Sequence, residues 1–275
     1  MPMARPHGHE GATGGAPRRD LRTRSRALWS ARMDFAEISL FSHLVSRPEA
    51  DLDLARAALL IAEPEYPGLD VGRYVEELDR LGAGAAARIA AAGHRPPLET
   101  VVRYLYEEIG FHGNTRDYYD PRNSFLNEVL DRRTGIPISL ALVLTETCRR
   151  VDIDARGVSF PGHFLVRVQE GDDVMFIDPF DGRLLDDSQI AELHERATGA
   201  SGPVDPGLLD PASKGHVLMR LLNNLRAIYE RTGDRDRLLG VLARMQVLSP
   251  DEEIRSRIRQ LAIAPPRTVG RSELN

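Results

Sequence analysis

Ser139, His163 and Asp178 follow one another along the chain in the order nucleophile, base, orienting acid. Side chains of these types do acyl chemistry together. A hydroxyl attacks a carbonyl when a base takes its proton, and an imidazole serves as that base when a carboxylate fixes its tautomer. Pro137 suits the first turn of a helix and puts Ser139 within that helix's exposed amino-terminal end. Free amide donors and a partial positive charge there can hold an oxyanion. His163 enters a strand just after Pro161-Gly162, and Asp178 ends the following strand. The expected geometry places Ser139 Oγ within about 3–5 Å of one imidazole nitrogen and the Asp178 carboxylate near the other. Each residue also has a plainer use: a serine satisfying helix-end amides, a hydrogen-bonded core histidine and an Asp-Pro turn.

Helices must bring Ser139 into place. From Phe35 the apolar spacing predicts a short amphipathic helix with Leu40, Leu44 and Val45, then helices over Leu52 to Ala62, Asp70 to Ala92 and Leu98 to Ile109. Pro64 and the Pro96-Pro97 pair break them. The polar stretch FHGNTRDYYDPRNS, Phe111 to Ser124, reads as an ordered functional or packing loop whose Asn123 or Ser124 caps the next helix. Gly135 to Val151 is mostly apolar and reads as a central helix buried on most faces. After it the period becomes two, predicting short strands at Ala155–Phe160, His163–Gln169 and Val174–Asp178 in an antiparallel sheet. The fold class is therefore α+β, mostly helical, with a further helix from Asp187 or Ser188 to about Ala197.

Segments divide accordingly. Residues 1–33 read as a disordered tail, 34–110 as a helical lobe, 111–198 as the core, 199–213 as a Gly/Pro-rich linker, 214–262 as a helical hairpin and 263–275 as a flexible tail. Arg18, Arg19, Arg22, Arg24 and Arg26 are not followed by the apolar stretch an export signal needs, and Met33 is a candidate start. In the hairpin, Leu222, Leu225, Tyr229 and Leu242 fall on the large positions of a 34-residue tetratricopeptide unit, with Gly233-Asp234 at the turn and Pro250 closing it. Arg226, Leu238 and Met245 stand where such units have small residues. One unit cannot bury its own face, so the hairpin should dock on the core as a cap.

Composition narrows the function. The 275 residues are 42% hydrophobic and 28% charged, enough for a sizeable core and unlike a disordered chain. With 36 basic against 41 acidic residues the net charge is −5, which offers no general attraction to nucleic acid. The densest apolar run, Ile136 to Leu144, is too short to span a membrane. The single cysteine, Cys148, excludes an intrachain disulfide and fits a cytoplasmic location. His112, Asp117, Asp120 and His194 lack the short spacing of a zinc site, so no metal and no cofactor is expected. Gly113 and Gly135 read as turn residues. Arg132 and Arg133 either bind an anion or brace the Asp-Tyr-Tyr-Asp loop.

The run RRTGIPISLALVLTETCRRVDIDARGVSFPGHFLVRV, followed by FIDPFDGRLL, resembles the transglutaminase-like core. More narrowly, DYYDPRNSFLNEVLDRRTGIPIS, FPGHFLV and the trailing repeat resemble the bacterial SirB-one-type proteins, over about residues 35 to 260. The resemblance implies a helix-start nucleophile, a strand histidine and an Asp-Pro strand end. Ser139, however, stands where the superfamily's chemistry uses a thiol. Cys148 cannot replace it, lying half a turn round and about 13.5 Å further along the helix. A helix end that ionises a thiol cannot ionise an alkanol. The resulting expectation is a non-catalytic or degenerate transglutaminase-like protein acting as a protein-interaction or regulatory module for a protein or peptide partner. The alternative is an acyl transferase or amide hydrolase using Ser139, His163 and Asp178.

Overall fold

Asp53 accepts the Arg56 amide at 3.0 Å and starts one helix, and Asp70 does the same for Arg73 and starts the next. The computed structural model describes residues 35–263. Helix α1 spans Phe35–Val45, α2 Leu54–Ala62, α3 Val71–Ala91 and α4 Pro97–Arg103. Pro97 occupies the first turn of α4, where its missing N–H costs nothing, and α4 runs on into a wider π turn at Tyr104–Glu108.

A two-residue strand β1, His112–Gly113, pairs in parallel with β2, Thr134–Gly135. Helix α5, Leu126–Arg132, lies between them, and α6, Pro137–Arg149, follows. Along α6, Ile138, Leu140, Ala141, Leu142, Val143, Leu144 and Cys148 are all buried, as expected for an apolar helix at the centre of the fold. It packs against α3, α5 and the first two strands of a second sheet. That sheet is an antiparallel meander of β3, Asp154–Val158, β4, Leu165–Glu170, β5, Asp173–Asp178, and β6, Arg183–Leu185. Helix α7, Asp187–Thr198, begins at Asp186, which exchanges hydrogen bonds with Gln189.

Helices α8, Lys214–Thr232, and α9, Arg235–Leu248, form a hairpin turned by Gly233 at φ 69°, and α10, Glu252–Ile263, packs on α9. Leu218, Leu221, Leu222, Leu225 and Leu242 share one cluster of buried side chains with Phe41, Leu59 and Leu144. Lys214 Nζ donates to the Leu52 carbonyl at 2.7 Å, fastening the hairpin's start to the turn before α2.

Several boundaries differ from expectation. Strand β4 begins at Leu165, so His163 sits in the turn before it. The three-residue β6 and the β1–β2 pair are too short to show a period. Neither Asn123 nor Ser124 caps α5, whose cap residue is Phe125 with no side-chain bond. Residues 199–213 include a 3-10 turn at Pro206–Leu209, whose Leu208 and Leu209 pack with Val158, Phe160 and Ile190, and the Ala212 amide donates to Gly157 O at 2.8 Å. The expected tail at residues 1–33 and the alternative start at Met33 lie outside the described residues. Of residues 263–275 only Ile263 is described, and it ends α10.

Candidate functional site

The register Val166↔Ile177 between β4 and β5, carried one step further, sets Asp178 level with Leu165, two residues past His163. The side chains meet there. His163 Nε2 lies 2.9 Å from Asp178 Oδ1, with the imidazole 19% exposed and the carboxylate 7%. The same oxygen accepts the Phe180 amide at 2.9 Å. Burial pushes the Asp178 carboxyl up, but the His163 hydrogen bond and charge, the Phe180 amide and Arg183 outweigh it and hold the group below the usual carboxylate range. With Nε2 committed to the acid, Nδ1 has no hydrogen-bond partner among the described residues.

The strand end itself is clamped. Tyr106 donates its hydroxyl proton to Pro179 O at 2.8 Å, and Gly113 donates its amide to Phe180 O at 2.8 Å. A Cβ on Gly113 would run into the Phe180 ring, so this glycine serves a close approach and is no simple turn residue.

Ser139 is the third residue of α6 and is completely buried, which corrects its expected place in an exposed helix end. Its Oγ accepts the Ile136 amide at 3.1 Å and lies 2.6 Å from the Asn123 carbonyl and 3.1 Å from the Ile136 carbonyl. The shorter contact takes the single hydroxyl proton. No hydrogen bond joins Ser139 to His163 among the described residues. The structure thus brings His163 to Asp178 and fastens Ser139 to the 111–124 loop. Gly135 permits this, since a Cβ there would stand 2.6 Å from Ser139 Oγ.

Asn123 organises that loop. Its Nδ2 donates to Asp117 O at 2.8 Å and Tyr118 O at 3.2 Å, while Oδ1 accepts Asn114 Nδ2 at 3.0 Å. Asp120 caps the turn that follows and holds Arg122 at 2.6 Å. Its burial favours the neutral acid, yet Arg122 outweighs that and keeps the carboxyl below its ordinary range. Arg132 braces the loop weakly, 3.9 Å from Asp120, and Arg133 pairs with Glu77 at 2.8 Å.

Arg220 of α8 was outside the expected set. It donates to Ser159 Oγ at 2.9 Å, His163 O at 3.0 Å and Phe160 O at 3.4 Å, gripping the turn that carries His163. Its only sequence signal is its position on a helix that docks near the sheet. Cys148 is fully buried, and burial pushes its thiol up to about 12. His112 bonds to Gly110 O and Thr134 Oγ1, and Asp120 to Arg122. Among the described residues no group of three His, Cys, Asp or Glu side chains is placed to hold a metal ion, and no helix is long and apolar enough to cross a membrane.

Chemically, the arrangement offers an oriented imidazole with one open nitrogen and an arginine behind its turn. The alcohol at Ser139 already spends its proton on a carbonyl. Comparison with known proteins gives these residues a lineage. A UPF0162 protein of Xylella fastidiosa (strain Temecula1) is 38% identical over 230 residues, 82% of each chain. One from Pseudomonas aeruginosa is 37% identical over 184 residues, 66% of each chain. F-box only protein 21 of Mus musculus is 32% identical over 139 residues, 50% of this chain and 22% of that protein. No solved structure matches. Residues 72–223, which hold Ser139, His163, Asp178 and Arg220, match the family described as Transglutaminase-like superfamily, and the chain belongs to that superfamily.

Proposed function

We propose that this chain is a SirB-one-type member of the superfamily that binds a protein or peptide partner through the surface around His163 and forms no covalent intermediate at Ser139. The observation that carries the reading is the 2.6 Å hydrogen bond from Ser139 Oγ to the Asn123 carbonyl in a fully buried position. A serine nucleophile must pass its proton to a base as it attacks. A carbonyl oxygen cannot take that proton, and the Ile136 amide holds Oγ in this arrangement from the acceptor side. The α8–α9 hairpin is read as a tetratricopeptide-like cap, since Leu222, Leu225, Tyr229 and Leu242 are buried around the Gly233 turn. A cytoplasmic location fits a chain whose single cysteine is a buried free thiol.

A fluorophosphonate probe tests the reading. The expected result is no adduct on Ser139. An adduct on Ser139 that disappears in His163→Ala would overturn it in favour of the second reading, an acyl transferase or amide hydrolase. That alternative is favoured by one observation, the His163–Asp178 pair at 2.9 Å, with no second partner on the imidazole among the described residues.

A further inference from the structure

Arg220 and Arg231 lie eleven residues apart on α8, three turns within about 20° of one another, so they project from the same stripe of the helix at about 16.5 Å separation. Neither guanidinium has a carboxylate partner among the described residues. Arg220 spends its hydrogen bonds on Ser159, Phe160 and His163, all neutral acceptors, and its Nε–H has no acceptor among the described residues. Burial pushes the Arg220 guanidinium down, whereas Arg122, Arg149 and Arg237 are raised by the carboxylates they hold. Arg231 rests 3.9 Å over the ring of Tyr119. Tyr119 and Tyr118 meet edge to face at 5.5 Å and are 57% and 47% exposed, large aromatic surfaces left open beside this stripe. Arg116 and Asp117, on the same loop, offset each other in charge. The stripe therefore starts at the His163 turn, runs along α8 past a two-tyrosine platform, and carries two guanidinium groups with no carboxylate partner among the described residues, in a chain of net charge −5.

We infer that this stripe is the binding groove for an acidic peptide segment, with one carboxylate on Arg220 beside His163, a second on Arg231 and the intervening chain against Tyr118 and Tyr119. This rests on the reading of the chain as a peptide-binding module and supplies the partner's chemistry. An extended peptide advances about 3.3–3.4 Å per residue, so the two carboxylates should stand about five residues apart. Charge complementarity decides the occupant: a guanidinium donates charge-assisted hydrogen bonds to a carboxylate, and a basic or neutral peptide brings no such partner to Arg220.

The test is a titration of the full chain, at low salt, with the peptide GSEGSGSEGS, its twin with both Glu replaced by Gln, and inorganic phosphate, followed by the arginine side-chain Nε–Hε signals in nitrogen–proton spectra. The acidic peptide should shift the Arg220 and Arg231 signals and bind at least five-fold more tightly than the Gln twin. Arg231→Gln, an exposed change that leaves the core alone, should weaken binding several-fold, and Arg220→Gln should do so with Arg220→Lys recovering part of it. Equal binding of the two peptides, unchanged binding in Arg231→Gln, no binding at millimolar peptide, or competition by phosphate as strong as the peptide's would each overturn the proposal. The fluorophosphonate experiment on the same protein keeps the two ideas apart. Acidic-peptide binding together with a Ser139 adduct keeps the groove and removes the non-catalytic reading, and neither binding nor adduct removes only the groove.

Discussion

Cutting Ser139 back to alanine removes the acceptor of the Ile136 amide and the donor to the Asn123 carbonyl, and leaves both backbone groups buried. Orphaning buried polar groups costs about 1–3 kcal/mol, so Ser139→Ala should lose that order of stability in urea unfolding while the protein stays folded. An unchanged midpoint would show that the hydroxyl is not a structural tie. Asp178 makes a pH prediction. Its folded carboxyl lies below the ordinary range, so its contribution is complete above the unfolded value of about 3.9 and is lost as pH falls through the folded value. The stability advantage of the native chain over Asp178→Asn should be full at pH 6 and shrink steadily below about pH 4. A constant difference from pH 6 to 2 would contradict a carboxyl held below its ordinary range at Asp178.

At the scale of elements, the site depends on two glycines read from the sequence only as turn residues. Gly135 lets the strand before α6 run past Ser139, with Val129 at 3.2 Å from a hypothetical Cβ on its other side. Gly135→Ala should therefore destabilise by about 1–3 kcal/mol through overpacking against a hydroxyl that is tied on three sides. Thermal unfolding measures this, and a neutral result would mean that the loop has room to retreat. The central helix was legible because its apolar run has few polar interruptions, and the long strands because their period is two. Strands β1, β2 and β6 were not, since two or three residues carry no period. The meeting of His163 and Asp178 was expected because the sequence puts one at the start of a strand and the other at the end of the next strand in an antiparallel sheet. The burial of Ser139 was not, because it depends on the Asn123 carbonyl sixteen residues upstream, and no side-chain pattern encodes a backbone acceptor.

Across the whole molecule, the hairpin is part of the core. Leu218, Leu221, Leu222 and Leu225 of α8 are buried in the same cluster as α2 and α6, and Arg220 reaches from that helix to the His163 turn. A chain ending at Pro211 should melt well below the full chain, because each large apolar side chain uncovered costs about 1.5–3 kcal/mol of burial. Equal melting temperatures would mean that the hairpin contributes nothing to the fold. Its docking was foreseeable from the amphipathic spacing of a lone helical hairpin, whose apolar face needs a neighbour. Arg220's reach to the His163 carbonyl was not, since helical spacing says which face a residue is on and not what lies opposite.

The central claim is that Ser139 is a structural hydroxyl and no nucleophile, and the acidity of a thiol put in its place tests it most directly. In Ser139→Cys, with Cys148→Ser to remove the native thiol, the sulfur would face the Asn123 and Ile136 carbonyls inside a buried site, and burial with two carbonyl dipoles opposes a thiolate against the single Ile136 amide that favours one. Alkylation rate against pH should give a thiol pKa at or above the ordinary value of about 8.5, with no change on adding His163→Ala. A pKa below about 7.5 that rises when His163 is removed would contradict the account and mark the position as one built to activate a nucleophile.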